Sequence, residues 1–201
     1  MISEVDKALR DIIALKVPNT PVRFEAPSKE WAEQIGGAQT INVFLYDLRE
    51  AVAGTSVGGY RLNQTPNGWL TADSVGQATH TIDPPRWYTL SYMVTAWYQD
   101  PGDMHRVLED LLIALTTKLT LDIPFSDVLK PLSPVAEVVV AAPPDNRTVS
   151  ELWSALGNRP LPNVNLAVTL PLDRWRTDGP TAIGGERVKQ VVVTASELRT
   201  P

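Results

Sequence analysis

The sequence contains no cysteine and only two histidines among its 201 residues. The absence of cysteine excludes disulfides, thiolate nucleophiles and cysteine-bound zinc. A site built on His80 or His105 would need further ligands or a nucleophile close by. No stretch approaches the run of about 18 apolar residues that a membrane-spanning helix needs, and the N-terminus lacks a signal peptide. We therefore expect synthesis in the cytoplasm and no membrane partner.

The charge balance is mildly acidic, with 18 lysines and arginines against 23 aspartates and glutamates and a net charge of −5. Proteins that follow nucleic-acid phosphates usually carry a basic stripe, so this balance argues against a nucleic-acid partner. A chain of this length can bury a core without a disulfide or metal staple. We expect a single domain over residues 1–201.

Recognisable catalytic and phosphate-binding patterns are also missing. The glycine-bearing segment Gly54-Thr-Ser-Val-Gly-Gly59 is followed neither by Gly-Lys-Ser/Thr nor by a helix start, unlike a phosphate loop. No Gly-x-Ser-x-Gly, His-Glu-x-x-His or Gly-x-Gly-x-x-Gly pattern occurs. These absences predict a protein that is not an enzyme, with no cofactor and no metal site.

Capping residues mark the predicted helices. Ser3, followed three residues later by an acid, predicts an N-terminal helix that ends near residue 17. Ser28 predicts a short second helix that stops at Gly36. The capping box Thr148-Val-Ser-Glu151 predicts another short helix, closed by Gly157.

Apolar and β-branched runs predict the strands. They cover residues 22–26, 40–51, 86–99, 135–141, 164–170 and 187–194. Residues 52–85 are irregular except for a hairpin at Pro66-Asn-Gly68, which we expect to project from the body. Residues 176–201 form a C-terminal loop and strand. The alternation of elements predicts an α+β fold in which helices flank a mixed β-sheet.

The segment Asp100-Pro-Gly-Asp-Met-His105 is compatible with chemistry or with a helix start. Asp100 and Asp103 could form a carboxylate pair for acid–base catalysis. Their spacing is also that of an N-cap residue and an acid at N3, with Pro101 at N1, and we favour this interpretation. His105 is then a surface residue near the same helix start.

Two segments with tryptophan are candidate partner interfaces. Arg174, Trp175 and Arg176 lie in a predicted loop, and arginine and tryptophan are enriched in protein interfaces. The alternative is that Trp175 folds back on its own domain, with solvated arginines on either side. Trp69, beside the predicted hairpin turn, is the second candidate.

The last predicted strand, residues 187–194, is a further candidate. It follows a glycine-containing connection over residues 179–185. A strand tethered in this way pairs either with its own sheet, as an edge strand, or with a partner chain in an assembly. The side chains that would then face the partner are Val188, Val191 and Val193.

Six motifs occur in order over residues 1–173. They are Ile2-Ser-Glu-Val-Asp-Lys-Ala-Leu9, Phe24-Glu-Ala-Pro27, Asn42-Val-Phe-Leu-Tyr-Asp-Leu-Arg-Glu50, Leu90-Ser-Tyr-Met-Val-Thr-Ala-Trp97, Asp100-Pro-Gly-Asp-Met-His105 and Leu152-Trp-Ser-Ala-Leu-Gly157. With these motifs the chain resembles the N-terminal domain of the tail-terminator, or cap, proteins of phage-tail-like contractile injection systems. The anti-feeding prophage and the Photorhabdus virulence cassette particle are examples.

The resemblance implies a tail-terminator-like fold and a structural function. Such proteins form a six-fold ring at the distal end of the particle, engage the last layers of inner tube and sheath, and perform no chemistry. The implied partners are copies of the chain itself in a homohexamer, the sheath protein and the inner tube protein. The resemblance also implies that the chain becomes part of a particle that stays in the cytoplasm or is released. Two alternatives stay open: a tail-completion protein of a contractile phage, and a small-ligand-binding α+β module or hydrolase.

Overall fold

The computed structural model describes residues 1–51, 60–66, 68–71, 80–141, 149–176 and 181–182. These residues form two compact units. The first contains the described residues of Met1–Arg49, Thr89–Ile123 and Ala136–Thr169, and the second those of Glu50–Tyr88, Pro124–Val135 and Leu170–Pro201. The single domain expected over residues 1–201 stays a prediction.

The helices and strands are numbered in chain order. The helices are α1 (Ile2–Lys16), α2 (Lys29–Ile35), α3 (Pro101–Thr116) and α4 (Val149–Ala155), and short 3₁₀ helices cover Lys130–Leu132 and Arg174–Arg176. The strands are β1 (Val22–Arg23), β2 (Thr40–Glu50), β3 (Tyr60–Thr65), β4 (Gly68–Thr71), β5 (His80–Ile82), β6 (Trp87–Trp97), β7 (Thr120–Leu121), β8 (Ala136–Val140), β9 (Asn163–Pro171) and β10 (Thr181–Ala182). None of the helices within the described ranges is long and apolar enough to cross a membrane.

Helix α1 begins earlier than its sequence predicts. The proposed cap at Ser3 is wrong, because Ser3 lies inside the helix and Met1 is the N-cap residue. The Met1 carbonyl accepts hydrogen bonds from the amides of Glu4 at 3.1 Å and Val5 at 3.2 Å. A backbone carbonyl therefore starts the helix, and no side-chain cap is made.

Helix α2 has the caps that its sequence predicts. The Ser28 hydroxyl accepts a hydrogen bond from the Trp31 amide at 3.2 Å. Gly36 follows the helix with a φ of 57°, in the left-handed region that favours glycine. Gly157 likewise follows α4, and its amide donates to the Ser154 carbonyl at 3.1 Å. Thr148, the predicted cap of α4, lies outside the described residues.

The first unit is built on a six-stranded sheet with the order β1-β2-β6-β9-β8-β7. Strand β1 is parallel to β2, whereas β8 is antiparallel to both β7 and β9. The sheet is therefore mixed, and helices pack on it. This confirms the predicted α+β fold with a mixed sheet flanked by helices.

Helices lie against both faces of this sheet. Successive side chains of a strand alternate between the two faces of the sheet. Tyr92 and Trp97 of β6 are an odd number of positions apart, so they lie on opposite faces. Tyr92 donates a hydrogen bond to Asp6 of α1, at 2.8 Å between Tyr92 Oη and Asp6 Oδ1. The ring of Trp97 contacts Trp31 of α2 and Trp153 of α4. Helix α3 packs beside α1.

The three tryptophans join α2 and α4 to the sheet. The ring centroids of Trp31 and Trp97 are 5.1 Å apart in an edge-to-face arrangement, and those of Trp97 and Trp153 are 6.4 Å apart. Trp153 is fully buried. Below α4, the Asn158 side-chain amide donates to the carbonyls of Pro27 and Ser28, both at 3.3 Å. Helix α4 is thus held in place by the ring of Trp153 and by the hydrogen bonds of Asn158, just after its C-terminal end.

Helix α3 begins as predicted. Asp100 is the N-cap residue, Pro101 occupies the first turn, and the Asp100 carboxylate accepts the Asp103 amide at 2.9 Å. The buried face of the helix carries Val107, Leu108, Leu111 and Leu115. The acidic pair of the sequence is therefore placed as helix-start chemistry requires.

Replacement of Asp100 by alanine is expected to lower the free energy of unfolding by about 1 kcal/mol, because the amide of Asp103 loses its acceptor. Replacement by asparagine, which also caps helices well, is the matched control and is expected to cost much less. Urea denaturation of the three proteins measures both differences. Equal losses for the two variants would contradict a capping role.

The hydrogen bond between Tyr92 and Asp6 predicts a loss of stability at alkaline pH. Burial of Tyr92, together with the nearby Asp6 carboxylate, raises the pKa of the phenol well above its ordinary value of about 10. Above that ordinary value the unfolded chain releases this proton while the folded protein retains it. The stability that depends on this proton is therefore fully present below about pH 10. Above pH 10 the free energy of unfolding falls by up to about 1.4 kcal/mol per pH unit.

Tyr92→Phe isolates this effect. The variant is expected to be less stable at neutral pH by about 1 kcal/mol through the lost hydrogen bond, and to lose stability less steeply than the wild type above pH 10. Denaturation curves at several pH values between 9 and 11 compare the two slopes. Parallel slopes would show that Tyr92 is not the group that titrates.

The second unit contains a four-stranded sheet with the order β10-β5-β3-β4. Strands β3 and β4 form the antiparallel hairpin that the turn Pro66-Asn-Gly68 predicts, with Thr65 opposite Gly68. Gly68 has a φ of 119°, which favours glycine. The hairpin is thus confirmed, whereas its projection from the body stays a prediction. Strand β10, which pairs with β5, lies in a segment expected to be a loop.

Candidate partner-binding site

Trp175, the centre of the predicted Arg-Trp-Arg surface, lies in the core of the second unit. Its side chain is only 7% exposed. It packs in a cluster whose other buried members are Leu62, Ile82, Val128 and Leu129. This is the arrangement in which the ring folds back on its own chain, so few of its atoms are exposed to a partner.

A buried carboxylate positions the segment that carries Trp175. Asp173 is 9% exposed and accepts hydrogen bonds from the backbone amide of Ser126 at 2.6 Å and from the Ser126 hydroxyl at 2.8 Å. The two residues are 47 positions apart, and the bonds join the loop before the 3₁₀ helix Lys130–Leu132 to the start of Arg174–Arg176. This pair cannot be predicted from the sequence, because spacing alone does not show which distant loops meet.

Arg174 is the exposed member of the predicted surface. Its Nη2 lies 2.5 Å from Asp83 Oδ2, and its guanidinium lies 5.0 Å from the centre of the Trp175 ring. The Arg174 side chain is 51% exposed, so water screens the ion pair and its net contribution to stability is small. A planar guanidinium presented in this way can still donate hydrogen bonds to a carboxylate on a partner.

Trp69 lies on the hairpin, where β4 pairs with β3. Its ring meets that of His80 edge to face, with centroids 4.7 Å apart, and it is half-buried against the Trp175 cluster. Trp69 and Arg174 thus belong to the same unit. Both stay predicted partner contacts.

The remaining predicted contacts fall where the structure gives no side-chain description. The backbone of Arg176 ends the 3₁₀ helix, but its side chain lies outside the described residues. Val188, Val191 and Val193, with the whole predicted strand of residues 187–194, also lie outside them.

The residues considered for chemistry lie at the start of α3. His105 is exposed, and Asp103 forms an ion pair with Arg106 at 2.9 Å. Across the described residues, no group of three or more histidines, aspartates and glutamates is placed to hold a metal ion. The absence of a catalytic role for Asp100, Asp103 and His105 stays a prediction.

The surface of the first unit carries several large, exposed apolar side chains. Leu15 at the end of α1 is 87% exposed, and Leu119 just before β7 is 78% exposed. Others among them are Leu112 and Ile113 of α3 and Val139 of β8. Leu112 is 37% exposed, although its neighbour Leu111 in the same helix is buried.

Two solved structures share the fold of the chain. One is the cryo-EM structure of an extracellular contractile injection system, the PVC sheath/tube terminator in its extended state, with a TM-score of 0.62 and 21% identity. The other is the cryo-EM structure of the anti-feeding prophage cap, the AFP tube terminating cap, with a TM-score of 0.60 and 19% identity. The matches cover 98% and 94% of this chain, and 65% and 60% of the two terminators.

The chain therefore spans less than two thirds of the length of each terminator, and at these identities the likeness concerns the fold. It supports the tail-terminator-like α+β fold that the sequence motifs imply. No curated protein matches the chain. The family model of the Pvc16 N-terminal domain matches residues 4–182, which contain all six sequence motifs except the first two residues of the first. The chain belongs to the Pvc16 N-terminal domain family.

Proposed function

We propose that the chain is a structural cap, a tail terminator that ends and joins the inner tube and the contractile sheath of a contractile injection system at its distal end. The observation that carries the proposal is that two solved structures with its fold are both terminators, matched over 98% and 94% of the chain. The family match over residues 4–182 supports it independently.

A terminator works by shape and surface chemistry. It must be complementary to the end of the growing polymer on one side and unable to bind the next subunit on the other. We propose that six copies form a closed ring, because head-to-tail contacts between identical chains close when their rotation matches the symmetry of the tube. The partners are then the chain itself, the inner tube protein and the sheath protein. The chain performs no catalysis and, after synthesis in the cytoplasm, becomes part of the particle.

The partner contacts proposed in the second unit centre on Arg174 and Trp69. Arg174 is supported by its exposed guanidinium, and Trp69 by a half-buried ring on a hairpin. The ring of Trp175 packs against the Arg174 guanidinium, 5.0 Å from the ring centre, and so supports its position. The Arg176 side chain and the last-strand residues Val188, Val191 and Val193 complete the proposed surface.

Imaging of assembled particles tests the proposed function. The chain is produced together with the inner tube protein and the sheath protein of a contractile injection system, and the particles are reconstructed by cryo-electron microscopy. We expect density for this chain with six-fold symmetry at one end only, and overlong or frayed ends when its gene is omitted. Density along the whole tube, or normal ends without the chain, would overturn the proposal.

Deletion of residues 186–201 tests the last strand separately. If Val188, Val191 and Val193 contact a partner, the shortened chain is expected to remain folded, while particles made with it have frayed or overlong ends. Circular dichroism measures the folding, and electron microscopy measures the length distribution. An insoluble product would instead place this strand within the chain's own core.

A further inference from the structure

We propose that Arg174 binds a carboxylate on a second copy of this chain, and that Asp83 is an internal stand-in which the incoming carboxylate displaces. The carboxylates that fit are those of Glu30 and Glu33, both exposed on α2. This contact deepens the proposed function by naming the chemistry that joins neighbouring copies. It rests on that function only for the proposal that copies of the chain meet.

The backbone that carries Arg174 is fixed on both sides. The preceding residue, Asp173, accepts two hydrogen bonds from Ser126, at 2.6 Å and 2.8 Å. The following residue, Trp175, is buried in the core of the second unit. Binding costs conformational entropy for each group that becomes ordered, so a residue that is already held in place binds a partner more tightly.

The guanidinium of Arg174 is held against an aromatic ring. Its central carbon lies 5.0 Å from the centre of the Trp175 ring, and its Nη2 lies 2.5 Å from Asp83 Oδ2. The side chain nevertheless keeps half of its surface in water. A planar cation presented in this way suits a carboxylate, which arginine binds through two parallel hydrogen bonds.

The contact between Arg174 and Asp83 is easily exchanged. The two side chains are 51% and 60% exposed, so water screens the ion pair and its net contribution to stability is small. Close charge pairs across protein interfaces couple more strongly than exposed pairs within one chain. Exchange of the Asp83 carboxylate for that of a partner therefore favours the complex.

A second copy of the chain offers the complementary charge. Each copy carries 23 acidic against 18 basic side chains, and so has carboxylates in excess. Glu30 and Glu33 are three positions apart in α2, which places them on one side of the helix. Within the described ranges neither belongs to a salt bridge. Like charges at this spacing repel, and a guanidinium between them removes the repulsion.

The two sides of this contact are different surfaces of the chain. Arg174 belongs to the second unit, whereas α2 belongs to the first. A contact that joins different surfaces of identical chains is of the head-to-tail type, from which rings are built.

Self-association of the full chain tests the proposal, because two variants break the same internal ion pair with opposite results. Arg174→Gln removes the binding group and is expected to weaken self-association by at least about tenfold. Asp83→Ala removes the stand-in and is expected to strengthen self-association by up to about fivefold. Analytical ultracentrifugation at a series of concentrations measures the dissociation constant of each protein.

A second exposed ion pair of the same unit provides matched controls. Lys130 Nζ lies 2.6 Å from Asp127 Oδ1, and the two side chains are 65% and 68% exposed. Lys130→Gln and Asp127→Ala change the net charge in the same way as the two test variants. Each is expected to change the dissociation constant by less than about twofold. Equal effects of test and control variants would show that net charge alone governs the association, and would overturn the proposal.

Replacement of both Glu30 and Glu33 by glutamine tests the other side of the contact. This variant is expected to weaken self-association about as much as Arg174→Gln. Addition of Arg174→Gln to it is expected to cause a further loss of less than about twofold, because the two changes remove the same interaction. Additive losses would show that Arg174 and α2 do not meet.

Two further results would overturn the proposal. One is a change in the same direction for Arg174→Gln and Asp83→Ala, which is what a merely structural ion pair predicts. The other is that both the wild type and Asp83→Ala stay monomeric up to about 1 mM. Circular dichroism measures the folding of each variant. Should Arg174→Gln unfold, Arg174→Lys, which keeps the charge but loses the planar fork, takes its place with the same expected direction. Location of the chain at particle ends is measured independently, so the capping function and this contact can fail separately.

Discussion

Replacement of Trp153 by alanine is expected to lower the free energy of unfolding by about 3–5 kcal/mol. The side chain is fully buried, and its ring packs against Trp97, which in turn contacts Trp31. Removal of the indole leaves a cavity between α4 and the sheet and removes the main anchor of a seven-residue helix. Equilibrium denaturation with urea, followed by circular dichroism, measures the loss.

Trp153→Phe is the matched control. The indole Nε1 is buried and has no hydrogen-bond partner within the described part of the chain. Phenylalanine keeps most of the aromatic contact and removes this unpaired donor, so we expect it to cost less than half of what alanine costs. A loss of under about 1 kcal/mol for alanine would contradict the role of Trp153 as the anchor of α4.

Asp173→Ala is expected to destabilise the protein by about 2–3 kcal/mol. The variant loses the acceptor for the Ser126 amide at 2.6 Å and for the Ser126 hydroxyl at 2.8 Å. The carboxylate is largely buried, so the donors it leaves behind are poorly placed to find water instead. Because Trp175 follows two residues later in the core of the second unit, its fluorescence is expected to change at a lower denaturant concentration than in the wild type.

Two variants separate the bonds of Asp173. Ser126→Ala removes the hydroxyl but keeps the backbone amide, so it is expected to cost about 1 kcal/mol. Asp173→Asn keeps one acceptor oxygen and is expected to fall between this variant and alanine. If alanine at position 173 were no worse than alanine at position 126, the backbone bond would contribute nothing and the loop would be held by other contacts.

Local features were predicted well from the sequence because their causes lie within a few residues. Asp100 caps α3 and Ser28 caps α2 through amides three residues away, and the Pro66-Asn-Gly68 turn closes a hairpin. The predicted cap at Ser3 was wrong, and the cause is also local: the Met1 carbonyl accepts the first amides of the helix. The two-residue strand β10 is too short to give a periodic pattern, and its pairing with β5 is decided by tertiary contact.

The candidate site was predictable only in part. Composition identifies Arg174 and Trp175 as residues that interfaces favour, but it does not decide whether the ring faces a partner or its own core. The answer depends on Leu62, Ile82 and the loop of Ser126, which are 47 or more positions away in the chain.

The position of β9 in the sheet has a consequence for the timing of synthesis. This strand, Asn163–Pro171, lies between β6 and β8, although it is the last long strand of the described chain. Until it has left the ribosome, β6 and β8 cannot be joined, and each has an unpaired inner edge that can pair with the wrong chain. The first unit can therefore complete its sheet only after residue 171 has been translated, and a ribosome that stalls before that point leaves two separate, aggregation-prone halves.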